Sequence, residues 1–248
     1  MDAQAAGRPS QVFRVDAGQK LAVSLPAKSA NPQGELRGIA GDIKLDHAHL
    51  HGIKGQISFD LRQLVMTPED PIRSQAKKSP PPDSNEIPPV RDWTPIAQQW
   101  LGLTGPDRAA AQWAHFAIEG ARELSSDRAW QGRTSKTRGS AEEEVVEVRG
   151  IVEGRLSVRN LSTHRRFPVK LLFFYKGKAS SQQPPRAVEV ELQAGVSVPL
   201  AEHEIVPRDA QGHKNSADVA LLGLRVGRTA RLSGILRLTA RQAPMTAK

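Results

Sequence analysis

Hydrophobic and polar positions alternate through most of this chain. The pattern is clearest in EVVEVRGIVEGRLSVRN, where Val146, Val148, Val152, Leu156 and Val158 fall on even positions and Glu147, Arg149, Glu153, Arg155 and Arg159 on odd ones. Side chains of an extended strand point alternately to opposite faces, so this pattern predicts one long, half-buried strand. Gly150 and Gly154 interrupt its apolar face, where a missing side chain permits a bend, a bulge or close approach by another group. FPVKLLFFYKG continues with Phe167, Val169, Leu171, Phe173 and Tyr175 on one face, while Leu172 and Phe174 make the other face partly apolar. That strand is expected to be covered on both sides. RAVEVELQ and ARLSGILRLTA repeat the alternation through Val188, Val190 and Leu192, then Leu232, Gly234, Leu236 and Leu238. KLAVSL, GIAGDIKL, GQISFDLRQLV and HFAIEG supply further strands.

These segments amount to at least eight strands in succession, with turn signals between them and no βα alternation. They predict an all-β fold, an antiparallel meander closed as a barrel or stacked as a sandwich. Two tracts interrupt it. Residues 67–92 are rich in proline and charge and read as a mobile insertion. TPIAQQWLGLTGPDRAAAQWAHFAI then predicts short helical turns between Thr94 and Ala114, with Thr104 as a candidate cap, before the chain returns to strand. The polar tract SSDRAWQGRTSKTRGSAEEE reads as a long hairpin tip in which Trp130 has no local explanation. The resulting organisation is a single domain over 11–240 between disordered ends at 1–10 and 241–248.

Composition narrows the function classes. The 248 residues contain no cysteine, which excludes disulfides, thiolate metal sites and cysteine nucleophiles. The net charge of +9 favours anionic surfaces. Aromatics make up only 4%, and the arginines are scattered through alternating strands, so a nucleic-acid platform is not expected. No apolar run approaches the length of a membrane-spanning helix. The start MDAQAAGRPS lacks the features of a signal peptide, so the chain is read as cytoplasmic or as one whose export sequence precedes this numbering.

The stretch DHAHLHG carries the strongest metal signal. On an extended chain His47, His49 and His51 share one face, and three imidazoles can hold zinc with a fourth position open. The segment also joins GDIKL to IKGQISFDL, with Asp46 as a turn residue and Gly52 as a stop, which reads as a strand connection. The remaining catalytic signatures, a GxSxG elbow, an HExxH helix, a Walker A loop and GxGxxG, do not occur. In AEHEIVPRD, His203 lies between Glu202 and Glu204, which reads as an edge ion cluster.

The order of segments resembles the YceI-like family. The pieces that carry the resemblance are FRVDAGQKLAVSL, GDIKLDHAHLHGIKGQISFDLRQL and QQWLGLTGPDRAAAQWAHFAIEG, then GIVEGRLSVRN with FPVKLLFFY, and PLAEHEIVPRDAQG. The likeness spans most of Val12 to Thr239 and rests on order more than on any one signature. The family's Tyr-Pro before the aromatic strand is replaced by Trp113, Ala114 and His115, and the turn over 160–166 reads as longer than the family's. The resemblance implies a lipocalin-like antiparallel β-barrel of about eight strands, exported to the bacterial cell envelope, that encloses a polyisoprenoid or another long apolar lipid without covalent chemistry or a cofactor.

If the sheet closes, one face of every strand turns inward, and Gly150, Gly154 and Gly234 are expected to leave interior volume unfilled. The candidate lining is Phe59, Phe116, Ile118, Val148, Val152, Leu156, Val169, Leu171, Phe173, Leu236 and Leu238. The alternative is a structural or adhesive β-module whose side chains fill the barrel. Trp100 and Trp113 are expected near the mouth, and the scattered Arg and Lys near an anionic membrane surface.

Overall fold

The computed structural model of the chain describes residues 10–28, 31–67, 92–106, 108–134, 143–209, 211–215, 222 and 226–241. The expected terminal segments and the insertion fall almost entirely outside these residues, at 1–9, 242–248 and 68–91.

Twelve strands form one antiparallel sheet: β1 (Gln11–Val15), β2 (Leu21–Ser24), β3 (Gln33–Leu36), β4 (Ile39–Leu45), β5 (Lys54–Asp60), β6 (Leu64–Met66), β7 (Trp113–Arg122), β8 (Arg133–Thr134), β9 (Glu143–Val158), β10 (Leu161–Lys176), β11 (Ala187–Pro199) and β12 (Thr229–Ala240). Six of them are halves of three wall strands. β1 pairs with β4 and β2 with β3, while β4 pairs with β5 and β3 with β6. All three breaks lie at one level of the barrel: residues 16–20, Arg37–Gly38, and the 3-10 turn Leu61–Gln63, whose first amides the Asp60 carboxylate caps by accepting from Arg62 N at 3.1 Å. Gly38 has φ +66°, and a Cβ there would lie 2.6 Å from Gln63 Nε2, so the bend needs glycine. The expected single strand GQISFDLRQLV is thus two.

Counting each broken strand once, the ring runs β1/β2, β4/β3, β5/β6, β7, β9, β10, β11, β12. It closes because β12 pairs with β1 from Val15↔Leu238 to Phe13↔Ala240 and, lower down, with β2 from Ala22↔Ser233 to Ser24↔Arg231. The fold is the eight-stranded, all-β antiparallel barrel that the alternation and the resemblance led one to expect. The β9–β10 hairpin turns in two residues, Arg159 (φ 52°) and Asn160 (φ 65°), the paired left-handed geometry that matches strand twist. The longer turn expected over 160–166 is therefore absent, and β10 begins at Leu161.

Helix α1 (Thr94–Leu101) and the short α2 (Arg108–Ala111) lie where helical turns were expected. Pro95 near the start of α1 lacks only an amide that a first turn would leave unpaired anyway, and Gly102 ends the helix in the left-handed region at φ 82°. At the start of α1, Asp92 accepts from Thr94 N at 2.8 Å, and the Thr94 hydroxyl ties the helix to Met66 of β6. Trp93 and Trp100 bury against the core. Among the described residues no helix is long and apolar enough to cross a membrane.

The interior is one continuous apolar cluster, and a smaller one of Val145, Leu172, Phe174 and Ala187 lies on the opposite face of the sheet, so β10 is buried on both faces as its composition predicts.

Candidate functional site

The two ends of the barrel differ. At the end carrying Asp46–Ile53, two 3-10 turns close the interior: Leu50–Gly52 and Ala129–Gln131. They are tied by Leu50 N to Asp127 O at 2.9 Å and Ala129 N to His47 O at 2.8 Å. Above them Phe13, Leu45, Phe173, Tyr175, Val188 and Leu238 pack with almost no solvent exposure. Tyr175 brings its hydroxyl into this packing without a hydrogen-bond partner among the described residues, and burial together with the nearby Glu144 carboxylate pushes its pKa up.

DHAHLHG is part of this seal. Asp46 accepts from Ala48 N and from the His49 ring, forming a turn. His47 is buried edge-on against Trp130, with ring centroids 5.1 Å apart, and its Nε2 lies 3.3 Å from Ser181 O. His51 points instead to Ala121 O at 2.8 Å, and His49 stands in solvent. The three rings diverge because the segment is a turn followed by a 3-10 helix, not an extended strand, and no group of three potential metal ligands occurs among the described residues. The one-faced arrangement expected for three zinc-binding imidazoles is therefore not formed. The same contact accounts for Trp130: the tract read as a hairpin tip folds back in part to cover His47.

Nearer the β9–β10 hairpin the packing leaves a cavity of about 70 Å³ with a wholly apolar lining. Of the predicted lining, Phe59, Phe116, Ile118, Val152, Leu156, Val169, Leu171 and Leu236 face it. Val148, Phe173 and Leu238 point inward too, but belong to the solid packing of the closed end. The cavity is also lined by Ile57, Phe167, Val190, Leu192, Leu232, Leu21 and Ile43, all on apolar faces of alternating segments, and by Ile53 and Val196. The last two carry no periodic signal: Ile53 lies in the connection before β5, and Val196 follows an irregularity in β11.

The glycines do not create this space. A Cβ on Gly154 would lie 2.1 Å from Ala117 O, one on Gly150 2.5 Å from Leu124 Cδ2, and one on Gly234 2.9 Å from Leu21 Cδ2. Each gap is already taken by a neighbouring strand or side chain, so these glycines serve close approach and curvature. The void is instead what a ring of aliphatic and Phe side chains fails to fill at mid-barrel.

The wall beside the cavity is incomplete. β10 and β11 pair only from Val169↔Leu192 to Phe174↔Ala187. Past that point β11 shifts register and continues against β12 alone, with Gly195 at φ 70° inside the irregularity. The first half of β10 keeps β9 as its ladder partner. The 3-10 turn Leu200–His203, which follows β11, spans the gap through side chains: His203 Nε2 to the Thr163 hydroxyl at 3.3 Å, His203 Nδ1 to Leu161 O at 3.3 Å, and Glu202 paired with Arg165. His203 is fully buried, and that burial holds its pKa below the ordinary imidazole range. The expected edge cluster is therefore half right: Glu202 is ion-paired, while His203 is a buried neutral latch.

Trp100 is buried in α1 beside the interior, but Trp113 points outward, 38% exposed and stacked on His115. Trp113 begins β7 beside the β9–β10 hairpin end and faces away from the interior, as the outward position preceding Ala114 does.

Fold and cavity together define a lipocalin-like barrel protein with a closed end, an apolar chamber and a side-chain-bridged seam. No protein-family model and no curated protein matches the sequence. Among solved structures, the chain is similar to a polyisoprenoid binding domain from Saccharophagus degradans implicated in plant cell wall breakdown, with TM-score 0.50 and 12% identity over 93% of this chain and 99% of that one. Burkholderia cenocepacia BcnA aligns with TM-score 0.47 and 11% identity over 92% of this chain and 99% of the other. The first likeness establishes the barrel fold that the resemblance to the YceI-like family implied.

Proposed function

We propose that this protein binds a long apolar chain, a polyisoprenoid or a fatty-acyl lipid, noncatalytically in the barrel interior. The observation that carries the reading is the wholly apolar cavity at mid-barrel. The shared fold with a polyisoprenoid binding domain supports it. The proposed contact residues are Phe59, Phe116, Ile118, Val152, Leu156, Val169, Leu171 and Leu236 at the chamber, with Val148, Phe173 and Leu238 reached only if the closed end loosens.

A volume of about 70 Å³ holds on the order of five water-sized spheres at about 10–15 Å³ each. It receives the tip of a chain, and deeper insertion requires lining side chains to change rotamer. Each methylene buried contributes about 0.8 kcal/mol, which offsets such movement over several carbons. Carriage or sequestration in the bacterial cell envelope, with peripheral contact to anionic lipid through the net charge of +9, completes the proposal.

The test is native mass spectrometry of protein purified without detergent, followed by titration with a fluorescent polyene fatty acid. Bound lipid mass or saturable one-to-one binding is expected. An empty protein that takes up no chain would sink the reading and favour a filled structural module, for which the tight packing of the closed end is the supporting observation.

A further inference from the structure

We propose that the bound chain ends in an oxyanion, a carboxylate or a phosphate ester, and that Arg165 receives it at the seam between β10 and β11. This deepens the apolar-chain reading above and rests on it. Antiparallel partners share a face of the sheet, and Arg165 lies between the pairs Val152↔Phe167 and Leu156↔Thr163. Val152, Leu156 and Phe167 all line the cavity, so Arg165 is on the interior face, one inward position beyond Phe167. At about 3.3 Å per residue the two Cα atoms lie roughly 7 Å apart, within the length of an arginine side chain.

Among the ion-paired arginines of the described residues, its burial sets it apart. The Arg165 side chain is 17% exposed, against 40% for Arg237, 53% for Arg62 and 67% for Arg155. Its Nε–H is buried with no acceptor among the described residues. Glu202 engages only the Nη2 group and is itself 43% exposed, which leaves the neighbouring Nε–H without an acceptor. The lining below offers no polar atom to a head group, whereas the seam offers this cation, the Thr163 hydroxyl and the His203 ring. The free guanidinium N–H gives a carboxylate or phosphate a charge-assisted hydrogen bond that a neutral alcohol or ester cannot match. The apolar tail then runs from Arg165 past Phe167 into the chamber.

The experiment compares oleic acid with oleyl alcohol and methyl oleate, and farnesyl phosphate with farnesol, by displacement of a fluorescent probe at neutral pH. The native protein is expected to bind the oxyanion-terminated member of at least one series about tenfold or more tightly than its neutral counterparts. Arg165→Met, which keeps the apolar stem, should bring the two within about twofold while leaving the alcohol unchanged. Preference for the acid alone assigns a fatty acid, and preference for the phosphate alone a prenyl phosphate; either supports the proposal. As a readout in the unaltered protein, the His203 ring resonances should shift with oleate and not with oleyl alcohol. Equal binding of acid and alcohol, or a preference that survives Arg165→Met, overturns the proposal and leaves the apolar-chain reading standing. Failure of every ligand to bind overturns that reading instead.

Discussion

His203 and Thr163 meet across a break in the barrel wall, imidazole Nε2 to hydroxyl oxygen at 3.3 Å. The ladder between β10 and β11 ends at Val169↔Leu192, and from there the wall is held by side chains from one 3-10 turn. Backbone ladders do not change with mild acid, but a latch made from a buried imidazole does.

Stability should therefore depend on His203 in a defined direction. Burial lowers its folded-state pKa below the ordinary value of 6.5. The unfolded chain thus binds the proton more readily, and the contribution is present above that ordinary value and lost as pH falls through the lower folded one. Urea midpoints should fall as pH drops from neutral through this window, and His203→Gln should remove this component of the slope. An unchanged slope in the variant would show that the seam does not sense protons.

Gly154 in β9 and Gly52 at the end of a 3-10 turn offer a contrast. Alanine at Gly154 would set its Cβ 2.1 Å from Ala117 O, a backbone atom that cannot swing away, whereas Gly52 has nothing within 4 Å. Gly154→Ala should cost about 3 kcal/mol or more and Gly52→Ala less than about 0.5 kcal/mol, measured by chemical denaturation.

Filling the chamber should separate binding from folding. Val152 lines the cavity and is buried, and Val152→Phe adds four carbons at that position. Into free space the substitution should leave the melting temperature unchanged or higher and weaken apolar-chain binding by about tenfold. Into a filled core it would instead cost about 1–3 kcal/mol by overpacking.

The histidine segment should prove structural. His47 packs on Trp130 while His49 is exposed, so His47→Ala should destabilise by about 1 kcal/mol and His49→Ala should change stability little. Equilibrium dialysis should find no zinc whose binding is abolished by replacing His47, His49 and His51 together. Stoichiometric uptake lost in that triple variant would restore the metal reading.

Which side of each strand faces inward was legible from alternation alone, because a two-residue period maps sequence parity onto the faces of a sheet. That is why the inward direction of Phe59, Val152, Leu171 and Leu236 could be read without coordinates. The connection between β4 and β5 was legible from Asp46 and Gly52, but the fate of its imidazoles was not. Whether His47, His49 and His51 converge depends on a turn that is set by contacts with Asp127, Ala129 and Trp130, far away in the chain.

Parity carries no information on height along the barrel. Val148 and Val152 share a face and a strand, yet one is locked in the closed end and the other borders the chamber. Nor does a glycine in the sequence reveal whether its missing side chain leaves a void or admits a neighbour; at Gly150, Gly154 and Gly234 the neighbour is already there. The amino-acid order thus determined an antiparallel sheet with a greasy inner surface. Closure of the ring, the split between β10 and β11, and the position of the cavity were decided by register and packing between distant segments, since unfilled volume is a difference between what the walls enclose and what their side chains occupy.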